Sequence, residues 1–469
     1  MSVRFITVDR KSPMLMPPRL QEWLPESHIA RLIVQIVESL PLSAFRVNWR
    51  GTGDAQYPPA MLLALLVYCY ASGRFGSRAI EDATYTDVAV RFISGDTHPD
   101  HDTICKFRRE NREAFQKTFV KVLAIAGQSG LVDKVGSVSV DGTKIKANAS
   151  KHAAVSYERA GKLIEQLTLE VEELERKAEE ADSTPLDDGL SIPDEVSRRQ
   201  ERKARLEQAR QVIEEHYEQE RRVAQQQHDE KMAERQAQRE AGKSPRGRDP
   251  KPPSNAPPGN KQYNFTDPES SIMKAGNGQH FEQAYNAQAA VDADGSMMIL
   301  GCRVSVEPND KQELAPTVAS IDPAVRTPSA VLADNGYFSA EQVEAVEADG
   351  GPTVYVATGK TKHGRTVADL EKHDDPPAPP EGASLKERMA HRLSTREGKA
   401  AYKARKETVE PTFGVIKSVM GFRQFHLRGH PKVDLEWSLV CLAYNFRRLF
   451  RLADGTGVLG LVQEMVAAS

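Results

Sequence analysis

The residues best suited to chemistry in this sequence are three acids and one lysine. Glu410 and Lys417 are seven positions apart, two turns of a helix, in the largely apolar stretch 409–421. Asp141 and Asp334 each follow a run of apolar residues far upstream. Three carboxylates on two strands and one helix are what a two-metal phosphoryl-transfer site needs, and a lysine beside them suits a phosphate.

This interpretation competes with a plainer one. The chain has 66 acidic residues, so three chosen acids rarely form a site, and an aspartate before glycine, as at Asp141 and Asp294, usually marks a turn. If Asp141 and Asp334 close adjacent strands, however, the carboxyl ends of those strands bring the two acids into one crevice. Two neighbouring carboxylates need a cation, and Mg²⁺ suits hard oxygen ligands.

Residues 1–130 are expected to form an all-α domain. The stretch 29–37 has helix-spaced apolar residues, and the stretch 59–68 starts with a proline and is almost wholly apolar. Asp102 is suited to cap a basic amphipathic helix, and a short helix from Ser77 precedes it, as in a helix-turn-helix unit. A helical bundle with a solvated basic face fits the same pattern.

The following segment changes period. Val138 and Val140 alternate with polar residues, which predicts a strand that ends at Asp141 within a first core segment, 131–156. Residues 157–242 are densely charged, and a heptad seam indicates an antiparallel helical hairpin inserted into the core, in preference to dimerisation through the seam. The seam residues are Ile164, Leu167, Val171, Leu174, Ala178 and Ala181.

A linker rich in proline and glycine, residues 243–262, is expected to be mobile and unpacked. Residues 263–452 complete the core with strands, helices and closing helices, and residues 453–469 form a tail. The predicted fold is an α+β multidomain chain. Its all-α N-terminal domain precedes a mixed α/β catalytic core, which a charged helical hairpin interrupts.

The length, net charge and cysteine content of the chain limit the class of protein. The 469 residues carry a formal net charge of −3, which conceals basic segments at 106–121 and 417–451. Four scattered cysteines without a Cys-x-x-Cys pair argue against a zinc site or a disulfide framework and favour a reducing cytosol. The longest apolar run is about half the length that spans a bilayer. A cytoplasmic protein without a membrane partner is expected.

Four blocks of the sequence resemble bacterial insertion-sequence DDE transposases, and the nearest group looks like the eleven-eighty-two type. The blocks begin at Asp141, Tyr285, Ala333 and Tyr402 and read Asp-Gly-Thr-Lys-Ile-Lys-Ala-Asn-Ala-Ser-Lys-His, Tyr-Asn-Ala-Gln-Ala-Ala-Val-Asp, Ala-Asp-Asn-Gly-Tyr-Phe-Ser and Tyr-Lys-Ala-Arg-Lys-Glu-Thr-Val-Glu-Pro-Thr-Phe-Gly-Val-Ile-Lys. The segments from Tyr57 and Asp102 look like the helical domain that such transposases carry first. The resemblance covers nearly the whole chain.

The resemblance implies a ribonuclease-H-like core in which Asp141, Asp334 and Glu410 are catalytic and bind Mg²⁺, with Mn²⁺ as an alternative. Glu407, one turn earlier, is a competing third acid, and Pro411 disfavours helical geometry at Glu410.

The resemblance also implies contacts with DNA phosphates. Because the last block is one residue longer than the family pattern, either Arg405 or Lys406 is the residue that meets a phosphate. The expected DNA-binding residues are Tyr402, Arg405, Lys406, Lys417, Arg423, Arg428, Lys106, Arg108 and Arg109.

The expected function is that of a transposase that binds the terminal inverted repeats of its element. It would hydrolyse a phosphodiester to free a 3′-OH and direct that hydroxyl at a target phosphodiester. Its expected partners are double-stranded DNA, as element ends and as target, and a second copy of the chain in a homodimer at the bacterial nucleoid. Two alternatives stay open: a metal-dependent nuclease without strand transfer, and a DNA-binding relic with impaired catalysis.

Overall fold

A computed structural model describes residues 19–47, 55–180, 192–240, 248–274, 280–359 and 375–453. Contacts between residues group the chain into two compact units, Met1–Lys146 with Tyr285–Ser469, and Ala147–Ala284. Within the described ranges, no helix combines the length and the apolar character needed to cross a membrane. The second unit is larger than the predicted insertion, 157–242, and takes in the predicted linker.

The helices of the described ranges are α1 (Ile29–Glu38), α2 (Pro59–Ala71), α3 (Ser77–Thr86), α4 (Val88–Ser94), α5 (His101–Glu110), α6 (Arg112–Gln128), α7 (Tyr157–Glu180), α8 (Ile192–Glu240), α9 (Leu314–Ala319), α10 (Ala340–Glu347), α11 (Leu385–Ser394), α12 (Arg396–Gly414) and α13 (His430–Ala453). The strands are β1 (Val135–Lys146), β2 (Ala154–Ser156), β3 (Gln262–Asn264), β4 (Ser271–Lys274), β5 (Phe281–Asp292), β6 (Ile299–Ser305), β7 (Thr327–Ala333) and β8 (Thr353–Val356). The predicted helical N-terminal region and the predicted mixed α/β sheet are both confirmed.

The N-terminal helices pack around α2, which is apolar on every side and buried over most of its length. Pro59 stands in its first turn, where a proline costs no helical hydrogen bond. Helix α5 is capped by Asp100 and not by Asp102 as predicted, since Asp100 Oδ1 accepts the N–H of Thr103 at 2.6 Å. Both acids precede the same apolar positions, so the local pattern does not choose between them.

The first unit is built on a sheet whose strands run in the order β5, β1, β7, β8, with β6 also paired to β5. Strands β1, β7 and β8 are parallel, whereas β5 and β6 are antiparallel. Strand β1 does not end at Asp141 as predicted. It continues to Lys146, whose N–H donates to Arg423 O at 3.3 Å. This partner lies far along the chain, so local alternation does not reveal the extension.

Two C-terminal helices pack against the sheet. Helix α12 lies against β1, where Thr408 Oγ1 donates to Ser139 Oγ at 2.9 Å. Helix α13 is buried along most of its length, and Trp437 Nε1 donates to Gln288 O on β5 at 2.9 Å. These bonds tie both helices to strands that carry the polar residues described below.

Pro411 lies inside α12, and the helix is not broken at Glu410. A proline removes one N–H donor and crowds the carbonyl four residues earlier. Thr412 Oγ1 donates to Thr408 O at 3.0 Å, and a π-helical turn, Val415–Val419, follows the helix. Glu410 therefore lies in a continuous helix, although the proline after it disfavours helical geometry there.

In the second unit, α7 and α8 pack antiparallel. Tyr157 Oη donates to Glu214 at 2.6 Å, and Arg199 Nε donates to Glu170 at 3.0 Å. A small core lies where the two helices meet β2 and β3, and its buried members are Val155, Ala160, Leu167, Leu206 and Ala209. Ala181 of the predicted seam lies outside the described residues.

The predicted linker makes contacts wherever the structure describes it. Residues 248–261 lie along α8, where Arg239 Nη2 donates to Asp249 at 2.8 Å and Tyr217 Oη donates to a carbonyl oxygen of the segment at 3.0 Å. These residues therefore contact α8 without being buried, and the mobility of the linker stays a prediction. Closely spaced prolines disfavour a helix or a central strand, but they leave an extended segment free to be held by side chains. Residues 243–247 lie outside the described residues.

The two ends of the second unit lie side by side. Ala147 N donates to Gln283 O at 2.9 Å, and β4 pairs antiparallel with the first residues of β5. The unit therefore begins and ends at hydrogen-bonded positions.

Candidate active site

Asp141 and Asp334 occupy equivalent positions on two adjacent parallel strands. Val140 lies opposite Ala333 in the register of β1 and β7, so the next residue on each strand's path is one of the two acids. Because the two strands are neighbours, these positions bring both carboxylates to the same crevice, and the charge of Asp334 acts on Asp141. Asp334 Oδ1 accepts the N–H of Gly336 at 2.8 Å in a short 3₁₀ turn, and this bond orients its carboxylate.

The electrostatics of this pair favour a bound cation or a proton. Burial, and after it the charge of Asp334, raise the pKa of Asp141 to about 7. The backbone N–H of Gly142 and the charge of Arg405 oppose that rise. Two like charges in one partly buried place disfavour double ionisation. Asp141 is therefore partly protonated at neutral pH unless a cation compensates the charge.

Glu410 approaches the pair on α12, with Arg405 between the acids. Arg405 Nη1 lies 3.8 Å from Asp141 Oδ2, and Arg405 Nη2 lies 3.4 Å from Glu410 Oε1. The side chain of Arg405 is 10% exposed, whereas that of Glu410 is 56% exposed. The guanidinium carbon of Arg405 lies 5.7 Å from the centroid of the Tyr402 ring. The structure thus brings these expected residues together around Asp141.

Glu407 does not share this position. Its side chain is 66% exposed and pairs with Lys403 Nζ at 3.8 Å. Glu410, and not Glu407, is the acid that contacts Arg405. The side chain of Lys406 lies outside the described residues. Of the two basic candidates in this block, only Arg405 has a described side chain, and this side chain faces the carboxylates of Asp141 and Glu410.

Two lysines line the same crevice. Lys417, on the π-helical turn, donates from Nζ to Lys144 O at 3.1 Å. Burial, and after it the charge of Arg423, lower the pKa of Lys417. Burial also lowers the pKa of Lys144, which follows Asp141 on β1. An ammonium group that is poorly solvated gains much from an anion, so both lysines suit a phosphate.

Asp310 is a further carboxylate at this site, and no sequence pattern indicates it. Asn286 Nδ2 and Gln288 Nε2 on β5 donate to Asp310 Oδ1 at 2.7 and 2.9 Å. Lys144 Nζ lies 3.7 Å from the same oxygen. A Cβ placed on Gly142, next to Asp141, would meet that oxygen at 2.9 Å.

The two hydrogen-bond donors of Asp310, Asn286 and Gln288, can be recognised from their spacing in the sequence. Asn286 and Gln288 are wholly buried and two positions apart on a strand, so they face the same side. Polar amides with this spacing on an otherwise apolar strand indicate a buried polar network. Gln288 also accepts a hydrogen bond from the hydroxyl of Tyr337, which is itself wholly buried. Asp310 stands in a loop and carries no such pattern of its own.

The residues expected to bind DNA divide into exposed and buried ones. The exposed residues outside the crevice are Lys106, Arg109, Arg423 and Arg428. Arg108 is buried, and its Nη1 donates to Tyr70 Oη at 2.6 Å and to Phe75 O at 3.0 Å. A guanidinium held in this way does not reach a DNA phosphate, so the prediction for Arg108 is wrong.

The donor set suits a hard divalent cation in part. Asp141 and Asp334 offer the carboxylate oxygens that Mg²⁺ prefers. Burial, and after it the charge of Asp334, raise the pKa of Asp141, and a bound cation would favour its ionised form. Within the described residues, no three His, Cys, Asp or Glu side chains are close enough together to hold an ion. Arg405 stands between Asp141 and Glu410 and contacts both carboxylates.

Two family models match the chain. The model described as a transposase DDE domain matches residues 378–450, which contain Glu410. The model described as a transposase domain (DUF772) matches residues 18–110, which contain α1 to α5. No curated protein and no solved structure matches the chain. The two matches fall where the sequence blocks predict a catalytic segment and a helical domain, and the eleven-eighty-two type stays a prediction.

Proposed function

Because this chain belongs to the DDE transposases of insertion sequences, we propose that it binds the terminal inverted repeats of its own element and catalyses metal-dependent cleavage and strand transfer. The observation that carries the proposal is the position of Asp141 and Asp334, each directly after the paired residues Val140 and Ala333 of two adjacent parallel strands. Glu410 stands near them, within the segment that matches the DDE family.

Asp141, Asp334 and Glu410 are proposed to hold Mg²⁺, with Mn²⁺ as a substitute. A divalent ion bound there supplies an activated water and stabilises charge on the leaving oxygen. No protein nucleophile is then required. The task of the remaining residues is to hold the reacting phosphodiester beside the acids.

Arg405 and Lys417 are proposed to bind that phosphodiester. In the free protein, Arg405 balances the charges of Asp141 and Glu410. A phosphate offers the guanidinium group two oxygens in a matching geometry, so we infer that DNA draws Arg405 away from the carboxylates. The same movement frees Glu410 to turn toward Asp141. Binding of the substrate and assembly of the three acids are thereby linked.

The test is incubation of the purified protein with a duplex of the element's end and Mg²⁺, followed by mapping of the cut and joined strands. We expect a cut that leaves a 3′-OH on the element and a joined product with target DNA. Asp334→Asn should abolish both products and leave binding of the end unchanged. Activity of that variant would refute the proposed role of the acids, and cutting without joining would indicate a nuclease.

A working dimer is part of the proposal, because the two ends of the element have to be processed together. Light scattering of the protein with and without end DNA tests it. A complex with two chains and two ends is the expected result, whereas one chain on each end at every concentration would contradict it. With DNA as its substrate, the protein is proposed to work at the nucleoid of the bacterial cytoplasm.

A further inference from the structure

The second unit contains a basic cavity. None of the residues that line it belongs to the candidate active site, and most of its charged residues are basic. It has a volume of about 450 Å³ and lies between α7, α8, β2 and the residue after β3. Its apolar floor includes Leu163, Leu206 and Phe265. The charged and titratable residues that line it are His152, Arg159, Arg198, Glu201, Arg202 and Arg205.

Most basic residues of the α7–α8 pair are already neutralised by acids. Lys162, for example, pairs with Glu158 at 2.6 Å, and Lys177 pairs with Glu173 at 2.9 Å, each one turn apart. Further basic residues that pair with an acid, on the same helix or elsewhere in the unit, are Arg198, Arg199, Lys203, Arg210, Arg221, Arg222, Arg235 and Arg239. A charged helix pair that only needs solubility has this pattern throughout.

Three arginines of the cavity depart from the pattern. Within the described part of the chain, Arg159, Arg202 and Arg205 have no carboxylate at ion-pair distance. All three are exposed, and they converge on one cavity although they come from two helices. Glu201 also lines the cavity, but it pairs with none of the three. Three positive charges are therefore concentrated here without an ion pair of their own. The charge of Arg202 does help to lower the pKa of Glu170, but that carboxylate forms its ion pair with Arg199.

The cavity also orients one of these guanidinium groups in advance. The guanidinium carbon of Arg205 lies 5.4 Å from the centroid of the Phe265 ring, which in turn packs edge-on against Tyr263 with centroids 5.4 Å apart. Stacking on an aromatic face restrains an arginine without using its N–H donors. Those donors stay available for an anion, and a planar fork of N–H groups matches the oxygens of a phosphate.

We propose that Arg159, Arg202 and Arg205 form a binding site for the phosphodiester backbone of duplex DNA on the charged helix pair of the second unit. The proposal rests on the proposed function, since it assigns to that function a DNA contact away from the acids. Contacts of this kind hold a protein on the duplex without reading its sequence. Each phosphate that is neutralised releases counterions, so each contact makes the affinity more dependent on salt.

The test compares DNA affinity of the full chain across a series of KCl concentrations, by fluorescence anisotropy with a labelled duplex of mixed sequence. The variant carries Arg159→Gln, Arg202→Gln and Arg205→Gln. We expect the slope of log affinity against log salt to fall by about 2 to 3, near 0.9 for each lost phosphate contact. Circular dichroism and thermal unfolding verify that the triple variant is folded. If it is not folded, the single variant Arg202→Gln is used instead, with an expected fall of about 0.9 in the slope.

The matched control carries Lys162→Gln, Lys177→Gln and Arg222→Gln, which remove the same charge from residues that already pair with acids. This control should keep nearly the slope of the unaltered chain. If the unaltered chain binds DNA, an equal fall in the slope of both variants, or an unchanged slope in the arginine variant, overturns the proposed site. Failure of the unaltered chain to bind any duplex refutes the proposed function itself.

Discussion

Arg405 Nη1 lies 3.8 Å from Asp141 Oδ2, so a fixed positive charge stands beside an acid whose pKa is raised to about 7. The other end of the guanidinium group lies 3.4 Å from Glu410 Oε1. A single side chain thus separates two carboxylates that a metal ion would have to share. In the free protein, the guanidinium group of Arg405 therefore occupies the place proposed for the metal ion.

We predict that Arg405→Gln raises the affinity of the DNA-free protein for Mn²⁺ several-fold, because a positive charge a few ångströms away repels a divalent ion. Titration followed by electron paramagnetic resonance measures it. The same variant should bind DNA more weakly. Lys403→Gln is the control, since Lys403 is on the same helix but pairs with Glu407 at 3.8 Å. An equal gain in both variants, or a loss in Arg405→Gln, would contradict the prediction.

The raised pKa of Asp141 predicts how stability depends on pH. Since its pKa rises from an ordinary value near 4 to about 7, the folded chain keeps a proton that the unfolded chain releases. The resulting stability is fully present below about pH 4 and is lost as the pH rises through 7. In metal-free buffer, Asp141→Asn should therefore stabilise the protein by about 4 kcal/mol at pH 8 and hardly at all at pH 4.

Thermal unfolding in a chelator, at several pH values, measures this difference. Glu407→Gln serves as the control because that side chain is largely exposed, and it should shift the unfolding temperature little at any pH. A gain for Asp141→Asn that is the same at pH 4 and pH 8 would show that charge is not its cause.

The close packing around Gly142 gives a steric prediction, since the Cα of this residue faces the side-chain amides of β5. A Cβ at this position would lie 2.3 Å from Gln288 Nε2 and 2.9 Å from Asp310 Oδ1. Gly142→Ala should therefore cost about 1 to 3 kcal/mol of stability and most of the cleavage activity, because the clash moves residues beside Asp141. Gly414→Ala is the contrast: it is helical with open space around it, and it should stabilise the chain by up to about 1 kcal/mol.

The buried polar network behind the acids makes a separate prediction. Gln288 accepts from the hydroxyl of Tyr337 and donates to Asp310. Gln288→Leu leaves both groups without that partner, and we expect a loss of about 2 to 4 kcal/mol in the free energy of unfolding, measured with urea. Gln211→Leu, at an exposed residue that donates to Glu215, should change it by less than about 0.5 kcal/mol. Similar effects at both sites would show that the network adds nothing.

Local sequence patterns were sufficient for the part of the site that is built on strands. The alternation of Val138 and Val140 predicts β1, and an apolar run predicts that β7 leads into Asp334. Placing the two acids side by side required only that these strands be neighbours, which the register confirms.

The parts that local patterns missed depend on contacts between distant residues. Arg108 belongs to an amphipathic basic helix by its spacing, yet it is buried by bonds to Tyr70 and Phe75 on a preceding segment. Asp310 stands in a loop and gains its place only through Asn286 and Gln288. In both cases a polar side chain is hydrogen-bonded to residues that are distant in the sequence, and the local spacing of apolar residues does not predict such partners.

The bond from Ala147 N to Gln283 O has a consequence for how this protein can vary. A module whose entrance and exit are hydrogen-bonded neighbours can lengthen, shorten or be exchanged without altering the register of Val140 and Ala333. Selection can therefore act on the charged helices and on the two acids independently. Descendants of this chain that differ widely between residues 147 and 284 should still keep the same spacing of Asp141 and Asp334 across the sheet.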